Sequence, residues 1–121
     1  MRILGHGVDI IEISRIEEML AKHEDRFLER VFTPGEQAHG AASRRRSEHL
    51  AGRFAAKEAV IKAISQIDPK RVLAMNQVEV RNDRLGRPHI LLHDARSGRL
   101  QIHVSLSHVD TVAVASAIAI R

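Results

Sequence analysis

The stretch from Leu50 to Ala63 constrains the fold of this chain more than any other part of its sequence. Its pattern predicts a helix, and at 3.6 residues per turn the side chains separate into distinct faces. One face carries almost no side-chain bulk: Gly52, Ala55, Ala56, Ala59 and Ala63. A second face is large and apolar: Leu50, Phe54 and Ile61. Because small residues permit close approach, we expect this helix to pack unusually near a sheet or another helix.

Glu58 and Lys62 lie four residues apart on the predicted helix, so both side chains project from one edge of it. Taken alone, such a pair is most often an exposed ion pair that contributes about 0.3–0.5 kcal/mol. The functional interpretation places a carboxylate and an ammonium at the rim of a packed interface. The two residues by themselves leave both interpretations open.

The 121 residues, 44% of them hydrophobic, are enough for one domain spanning 1–121, and no linker or repeat indicates a second. The chain has no cysteine, no apolar run of membrane-spanning length and no signal-peptide pattern, so we expect a cytoplasmic protein. Its net charge of +4 favours an anionic partner: nucleic acid, a phosphorylated small molecule or an acidic protein. Tyrosine and tryptophan are absent, which removes the usual platforms for base stacking.

The segment 3–11 is predicted to be a strand, rich in isoleucine and valine. The alternation of side chains puts Gly5, Gly7 and Asp9 on one side of it, where another backbone or a ligand can approach closely. An acidic residue in a strand is often a turn or cap residue, but here the turn comes later in the chain. Asp9 is therefore a candidate functional carboxylate.

The other elements are predicted from capping residues, turns and alternation. Ser14 with Glu17, and Thr33 with Glu36, match capping boxes that begin helices, the second with proline at its first position. The remaining predicted elements are strands at 78–81 and 89–93 in a hairpin, a half-buried strand at 102–107 ending at His108, and a strand at 112–120 covered on both faces.

A basic triplet, Arg44 to Arg46, precedes the central helix, and Arg53 lies within its first turns. Such a triplet is most often a solvated surface. The functional alternative is a phosphate clamp, because guanidinium forks match phosphate oxygens in pairs and a helix N-terminus favours anions. The same choice applies to His108, since a histidine at a strand end is usually structural.

Several stretches, in order along almost the whole chain, resemble the holo-(acyl-carrier-protein) synthases, the small trimeric class of the 4'-phosphopantetheinyl transferase superfamily. Three are specific: Gly7 to Ile10 (GVDI), Gly52 to Ala59 (GRFAAKEA) followed by Lys62 and Ala63, and Ser105 to His108 (SLSH). Weaker matches are 26–36 and the Gly-x-Pro turn of Gly86 and Pro88. The chain departs from the family after Ala63, where 64–69 replaces a Gly-Thr-Gly-like turn, which puts the local cleft wall in doubt.

The resemblance implies an α+β fold, an antiparallel sheet with a long central helix packed on it. It implies a homotrimer with active sites between adjacent subunits. The implied activity is Mg²⁺-dependent transfer of 4'-phosphopantetheine from coenzyme A to a serine of apo acyl carrier protein, with release of adenosine 3',5'-bisphosphate. No nucleic-acid or membrane partner is expected.

Residue roles follow from the same resemblance. Asp9 and Glu58 would bind Mg²⁺, which requires the first strand to run against the central helix. Glu58 would promote deprotonation of the serine hydroxyl, and Lys62 would neutralise charge on the phosphoryl group or the leaving nucleotide. The implied coenzyme A contacts are Arg44, Arg45, Arg46, Arg53, Lys62, Gly86, Pro88 and His108. The implied docking residues for the acidic carrier are Arg15, Met19, Lys22 and Arg26.

Two alternatives stay open. One keeps the chemistry but uses a carrier domain of a polyketide or peptide synthetase as the acceptor. The other is a small basic nucleic-acid-binding module, favoured by the net charge and by Arg44 to Arg46. Against the second alternative, Asp9 and Glu58 would repel a phosphate backbone unless a cation intervened.

Overall fold

The computed structural model describes residues 1–96 and 100–121. The elements in chain order are β1 (Ile3–Glu12), α1 (Ile13–Val31), α2 (Pro34–Ala41), α3 (Arg46–Ile67), a 3-10 turn (Met75–Gln77), β2 (Val78–Asn82), β3 (Pro88–Leu92), β4 (Gln101–His108) and β5 (Val112–Ile120). The predicted strands and hairpin are confirmed to within about one residue at most boundaries. The predicted helix at 50–63 is the centre of α3.

Two antiparallel sheets accompany the long helix. Strands β1, β5 and β4 form one sheet in that order, and β2 pairs with β3 in the other. Helix α3 packs across β1 and β5. The alternate residues of β5 that face α3 are buried alanines: Ala113, Ala115, Ala117 and Ala119. The expected α+β fold, an antiparallel sheet with a central helix packed on it, is confirmed.

Small residues on both elements let β1 approach α3 closely. A Cβ atom added to Gly5 would overlap the carbonyl oxygen of Ala63, and one added to Gly7 would overlap that of Ala59. Because these are backbone atoms of a helix, neither can move aside cheaply. The small-residue face of α3 therefore sets the depth at which β1 and its Asp9 lie against the helix.

We expect the substitution Gly7→Ala to lower the free energy of unfolding by about 1–3 kcal/mol, because overpacking forces the backbone apart. Urea denaturation measures the change. Gly52→Ala is the matched control, since its added Cβ would meet only the side chain of Leu106, at 3.4 Å. Equal stability for Gly7→Ala and the wild type would contradict the close packing of β1 on α3.

The predicted cap at Ser14 is wrong. Helix α1 begins at Ile13, and its N-cap is Glu12, which makes no side-chain capping hydrogen bond. Pairing of β1 with β5 extends to Glu12, and the backbone N–H of Ile13 donates to the carbonyl of Thr111 at 2.9 Å. Because the turn before β5 already accepts a hydrogen bond from the first N–H group of the helix, no local side-chain cap is needed there. The box of Thr33 and Glu36 is confirmed at the start of α2.

Within one chain, strand β5 is covered on one face only, whereas the sequence predicted covering of both. The opposite face of this sheet, here called the outer face, is partly exposed along β5. Its apolar side chains on β1 are solvent-exposed, Val8 at 52% and Ile10 at 68%. On β5, Val114 pairs with Ile10 and lies beside it.

Candidate active site

Strand β1 and helix α3 bring Asp9, Glu58 and Lys62 together. The ammonium of Lys62 donates to the carboxylate of Asp9 at 3.1 Å and to the carbonyl oxygen of Val8 at 3.0 Å. Asp9 is held there because the glycines before it allow β1 to lie against α3. Glu58 is one helical turn before Lys62 on the same edge of α3. The sequence-predicted juxtaposition of the strand with the helix is observed.

Burial raises the pKa of the Glu58 carboxyl above its ordinary value, and the negative charge of Asp9 raises it further. The positive charge of Lys62 opposes this shift but does not cancel it. Two carboxylates therefore face a shared region that holds more negative charge than Lys62 balances. Such a region favours either a proton or a cation.

The donor set of this region fits Mg²⁺. This ion prefers oxygen ligands and is usually bound by one or two protein carboxylates, with water and substrate phosphate completing its coordination. Asp9 and Glu58 would supply the two carboxylates. Within residues 1–96 and 100–121 there is no group of three or more His, Asp or Glu side chains arranged for a metal. The region fits an ion shared with a phosphate substrate rather than an all-protein cage.

A second cluster lies at the N-terminal end of α3. A cavity of about 400 Å³ is lined by α3, the loop before it and the end of β4. Arg44, Arg45, Arg53 and His108 all line it. Glu48 lies among these cations, and its carboxylate accepts a hydrogen bond from Arg45 at 3.3 Å and lies 3.8 Å from Nδ1 of His108. The cavity has the charge and size to hold a phosphorylated ligand.

An adjoining cavity of about 280 Å³ contains the predicted Gly-x-Pro turn. Gly86 and Pro88 line it together with Arg53, which also lines the first cavity. Gly86 has φ of 80°, a conformation that favours glycine in this turn. Asn82, at the end of β2, accepts a hydrogen bond from the Arg53 guanidinium at 3.0 Å. Arg53 thus lies between the two cavities, and its hydrogen bond to Asn82 orients the guanidinium.

Arg46 is the predicted basic residue that the structure places elsewhere. Its guanidinium pairs with Glu24 of α1 at 2.9 Å, and it does not line the cavity of Arg44 and Arg45. Arg46 is the first residue of α3. Arg44 and Arg45 precede the helix, so only Arg46 takes its direction from α3.

The four predicted docking residues, Arg15, Met19, Lys22 and Arg26, are all exposed on α1. Lys22 lies 3.8 Å from Glu18 on the same helix. A break at His23, with φ of −144°, interrupts α1 before Arg26. Arg15, Met19 and Lys22 therefore share one helical segment, and Arg26 belongs to the next.

Sequence reasoning missed a buried ion pair next to Glu58. Lys57 is fully buried and its ammonium donates to Glu36 of α2 and to the carbonyl oxygens of Met75 and Val78. The second carboxylate oxygen of Glu36 accepts from the N–H of Val80 at 2.8 Å. One signal was present, because the helical spacing puts Lys57 on the apolar face with Val60 and Ile64, which are also buried.

His49 is a second residue that the sequence did not single out. Its ring stacks on that of His39, with centroids 4.6 Å apart, and its Nε2 atom is buried without a hydrogen-bond partner. Burial lowers the pKa of His49 to about 4, with smaller contributions from the charges of Arg53 and His39. The imidazole in this cavity wall is therefore neutral at neutral pH.

Because His49 is neutral in the folded protein, we expect the folded protein to lose stability in acid. The unfolded chain binds the His49 proton below about pH 6.5, but the folded chain binds it only near pH 4, so stability falls as pH falls between these values. We expect His49→Gln to flatten this part of the stability profile, measured by urea denaturation from pH 7.5 to 4.5. His23→Gln, at an exposed position, is the control. Parallel profiles for His49→Gln and the wild type would contradict the assignment.

Comparison with known proteins agrees with this fold and these residues. The family model of the 4'-phosphopantetheinyl transferase superfamily matches residues 5–117. The holo-[acyl-carrier-protein] synthase of Moorella thermoacetica is 44% identical, with 96% of this chain and 93% of that protein covered.

Solved structures agree as well. A holo-(acyl-carrier-protein) synthase from Bacillus anthracis in complex with CoA (3',5'-ADP) has a TM-score of 0.81 and 38% identity, covering 97% of this chain and 96% of that one. The enzyme from Neisseria meningitidis has a TM-score of 0.86 and 26% identity, covering 99% and 100%.

The β1–α3 carboxylates, the cationic cavity and these matches define the class: a phosphopantetheinyl transferase fold. More particularly, the chain belongs to the holo-[acyl-carrier-protein] synthase family of the 4'-phosphopantetheinyl transferase superfamily. No helix in residues 1–96 or 100–121 is long and apolar enough to cross a membrane.

Proposed function

We propose that this protein transfers the 4'-phosphopantetheine group of coenzyme A to a serine of apo acyl carrier protein and releases adenosine 3',5'-bisphosphate. The observation that carries the proposal is the contact of Lys62 with Asp9 beside Glu58 at the β1–α3 interface. The cationic cavity at the N-terminal end of the same helix has room for a phosphorylated nucleotide. The family relatives bear the name of this activity.

The side chains divide the work between binding and chemistry. Arg44, Arg45, Arg53 and His108 bind the phosphorylated nucleotide by charge and hydrogen bonds. Lys62 neutralises negative charge on the phosphoryl group or on the leaving nucleotide. Glu58 promotes deprotonation of the attacking serine hydroxyl.

Asp9 and Glu58 would hold Mg²⁺ in this proposal. The ion supplies charge neutralisation at the pyrophosphate and orientation of the phosphoryl group. The balance of charge around Asp9 and Glu58, described above, supports this part of the proposal.

The two clusters on α3 support a site shared between subunits. Arg53 and Glu58 are five residues apart, so their side chains leave the helix about 140° apart. The nucleotide cavity and the carboxylates therefore open to different sides of one chain. We propose a homotrimer in which the outer face of the sheet is buried between copies. The exposed apolar residues Val8 and Ile10 support this, because such patches mark interaction sites.

The test of the proposed reaction is intact mass spectrometry of an apo acyl carrier protein incubated with this protein, coenzyme A and Mg²⁺. We expect the carrier to gain the mass of one phosphopantetheine group, and no gain when EDTA replaces Mg²⁺. A carrier left unmodified under all conditions would refute the proposal. A carrier domain from a peptide synthetase, tested in parallel, shows which kind of carrier is the acceptor.

A cytoplasmic location and a role in fatty acid biosynthesis complete the proposal.

We propose that the acidic carrier docks on Arg15, Met19, Lys22 and Arg26 of α1. The prediction is that the KM for the carrier rises several-fold between low and physiological ionic strength, because salt screens exposed charge pairs. Steady-state kinetics over a salt series measures it, with the KM for coenzyme A followed in parallel. A carrier KM that does not respond to salt would contradict this docking face.

A further inference from the structure

The free edge of strand β1 is held by side chains of helix α3. Within the described residues, β1 is the last strand of its sheet and pairs only with β5. The N–H of Ile13 donates to the carbonyl of Thr111, and this pair continues the register of β1 with β5. Because hydrogen-bonded pairs alternate along an antiparallel ladder, residues of β1 at odd positions bond to β5. The backbone groups of residues at even positions therefore point away from the sheet.

Two of these outward-pointing groups are bound by α3. The side-chain oxygen of Gln66 accepts a hydrogen bond from the N–H of His6 at 2.9 Å. Lys62, one helical turn earlier, donates to the carbonyl oxygen of Val8 at 3.0 Å. Four residues of a helix rise about 6 Å and two residues of a strand span about 6–7 Å, so both contacts can form together. Gln66 and Lys62 thus bind α3 to the edge of β1 at two successive points.

The contact at Lys62 is the one that the proposed reaction also uses. Lys62 donates to the carboxylate of Asp9 at 3.1 Å, and its side chain is half exposed. An ammonium has three N–H donors, so two of them hold β1 and one is left for a phosphoryl oxygen. A shift of the β1 edge would move Val8 and Asp9 and turn this donor away. Gln66 has no part in the chemistry, so it can hold the strand while Lys62 binds the substrate.

Gln66 lies in the segment 64–69, where the sequence departs from the family's Gly-Thr-Gly-like turn. In the structure α3 continues through this position and ends at Ile67. The neighbouring Ser65 donates its hydroxyl to the carbonyl of Lys62 in the same helix, at 2.7 Å. The helix therefore brings an amide side chain within reach of β1, which a glycine-rich turn at this place would not supply.

We propose that Gln66 is a positioning residue for the phosphopantetheinyl transfer, which rests on the function proposed above. It holds the edge of β1 against α3 and so keeps Asp9 and Lys62 aligned with the phosphoryl group. Its amide touches neither substrate nor metal in this assignment. The contacts at Gly5 and Gly7 set how closely β1 approaches the helix, and Gln66 sets the position of the strand along it.

The first experiment measures amide hydrogen exchange of the full-length protein by NMR, in the wild type and in Gln66→Met. Methionine keeps the length and the helix propensity of glutamine but removes the amide oxygen. We expect exchange at His6 to become about three- to tenfold faster. Exchange at Gly7, which is at an odd position and bonds to β5, should stay the same.

Equal exchange at His6 in both proteins would overturn the inference, because Gln66 would then not hold the strand edge. Faster exchange at Gly7 as well would also overturn it, since the variant would then loosen the whole strand. If Gln66→Met does not fold, the wild type decides. His6 should exchange more slowly than Val8, whose N–H points to the same edge and has no acceptor in the part of the chain that the structure describes.

The second experiment compares single-turnover rates of carrier modification at saturating coenzyme A, followed by intact mass spectrometry. We expect Gln66→Met to lower the rate about three- to tenfold. The affinity for adenosine 3',5'-bisphosphate, measured by calorimetry, should stay unchanged. A general loss of structure would not separate these two quantities. Ser65→Ala is the matched control, because Ser65 is exposed on the same turn and its hydroxyl bonds within α3.

A wild-type rate in Gln66→Met would overturn the inference, and so would an equal loss of rate in Ser65→Ala. Weaker bisphosphate binding by Gln66→Met would overturn it too, because the distortion would then reach the nucleotide cavity.

The two proposals fail in different ways. If the wild type does not modify the carrier, the proposed function is wrong, and the exchange experiment still tests the contact of Gln66 with β1. If the wild type modifies the carrier and Gln66→Met is as fast, only the positioning role is wrong.

Discussion

The substitution Glu58→Gln is expected to lower turnover of the carrier by about 10²- to 10⁴-fold, the usual contribution of a general acid or base. Glutamine keeps the size of the side chain but cannot accept the serine proton, and it removes one of the two carboxylates proposed for Mg²⁺. The affinity for adenosine 3',5'-bisphosphate should change little, because Glu58 is not among the residues that line the nucleotide cavities. Quantification of modified carrier by mass spectrometry over time measures the rate.

Glu29→Gln is the matched control, because Glu29 is exposed near the end of α1. Its rate should equal that of the wild type. We expect no loss of stability in Glu58→Gln, since burial and the charge of Asp9 already disfavour the Glu58 carboxylate. Turnover that survives the substitution would reject Glu58 as the base and as an essential metal ligand.

Lys57→Met is expected to lower the free energy of unfolding by about 3–5 kcal/mol. The side chains of Lys57 and Glu36 are 0% and 1% exposed, so removing the ammonium leaves a buried carboxylate without its cation. The carbonyl oxygens of Met75 and Val78 also lose a donor. Since small domains are stable by roughly 5–15 kcal/mol, this single change removes a large share. Urea denaturation at fixed protein concentration measures it.

Two further variants test whether the loss of stability comes from the buried, unpaired charge. Lys62→Met removes a lysine that is 51% exposed, so it should cost less than about 1 kcal/mol. The double substitution of Lys57→Met with Glu36→Gln should recover part of the loss, because the remaining buried group is neutral. If the free energy of unfolding of Lys57→Met lay within about 1 kcal/mol of the wild-type value, the buried pair would not hold α2 and β2 against α3.

The elements were predictable because their signals are local or periodic, and the carboxylate cluster was expected from the family resemblance. The helical period of 50–63 identified a small face, and strand alternation put Gly5, Gly7 and Asp9 on one side. The small faces allow a close approach, but the meeting of Asp9 with the edge of α3 was implied by the family resemblance, and the structure shows it. The Gly86 turn was predictable for a similar reason, because its residue types match its backbone conformation.

Other features depended on contacts that local patterns do not encode. Ser14 matches a capping box, yet pairing of β1 with β5 carries the strand into α1 and makes the cap unnecessary. Arg46 shares its triplet with Arg44 and Arg45, yet Glu24 of another helix attracts it.

The sequence by itself determined the amphipathic helix, the strand with its glycines and the position of Glu58 and Lys62 on one edge of the helix. Each of these depends on the geometry of one element and on residue size. The tertiary structure alone decided that Lys57 pairs with Glu36, 21 residues away, and that β3 and β4 face each other unpaired. The physical reason is that burial and pairing depend on which elements the whole chain brings together, and not on the period of any one of them.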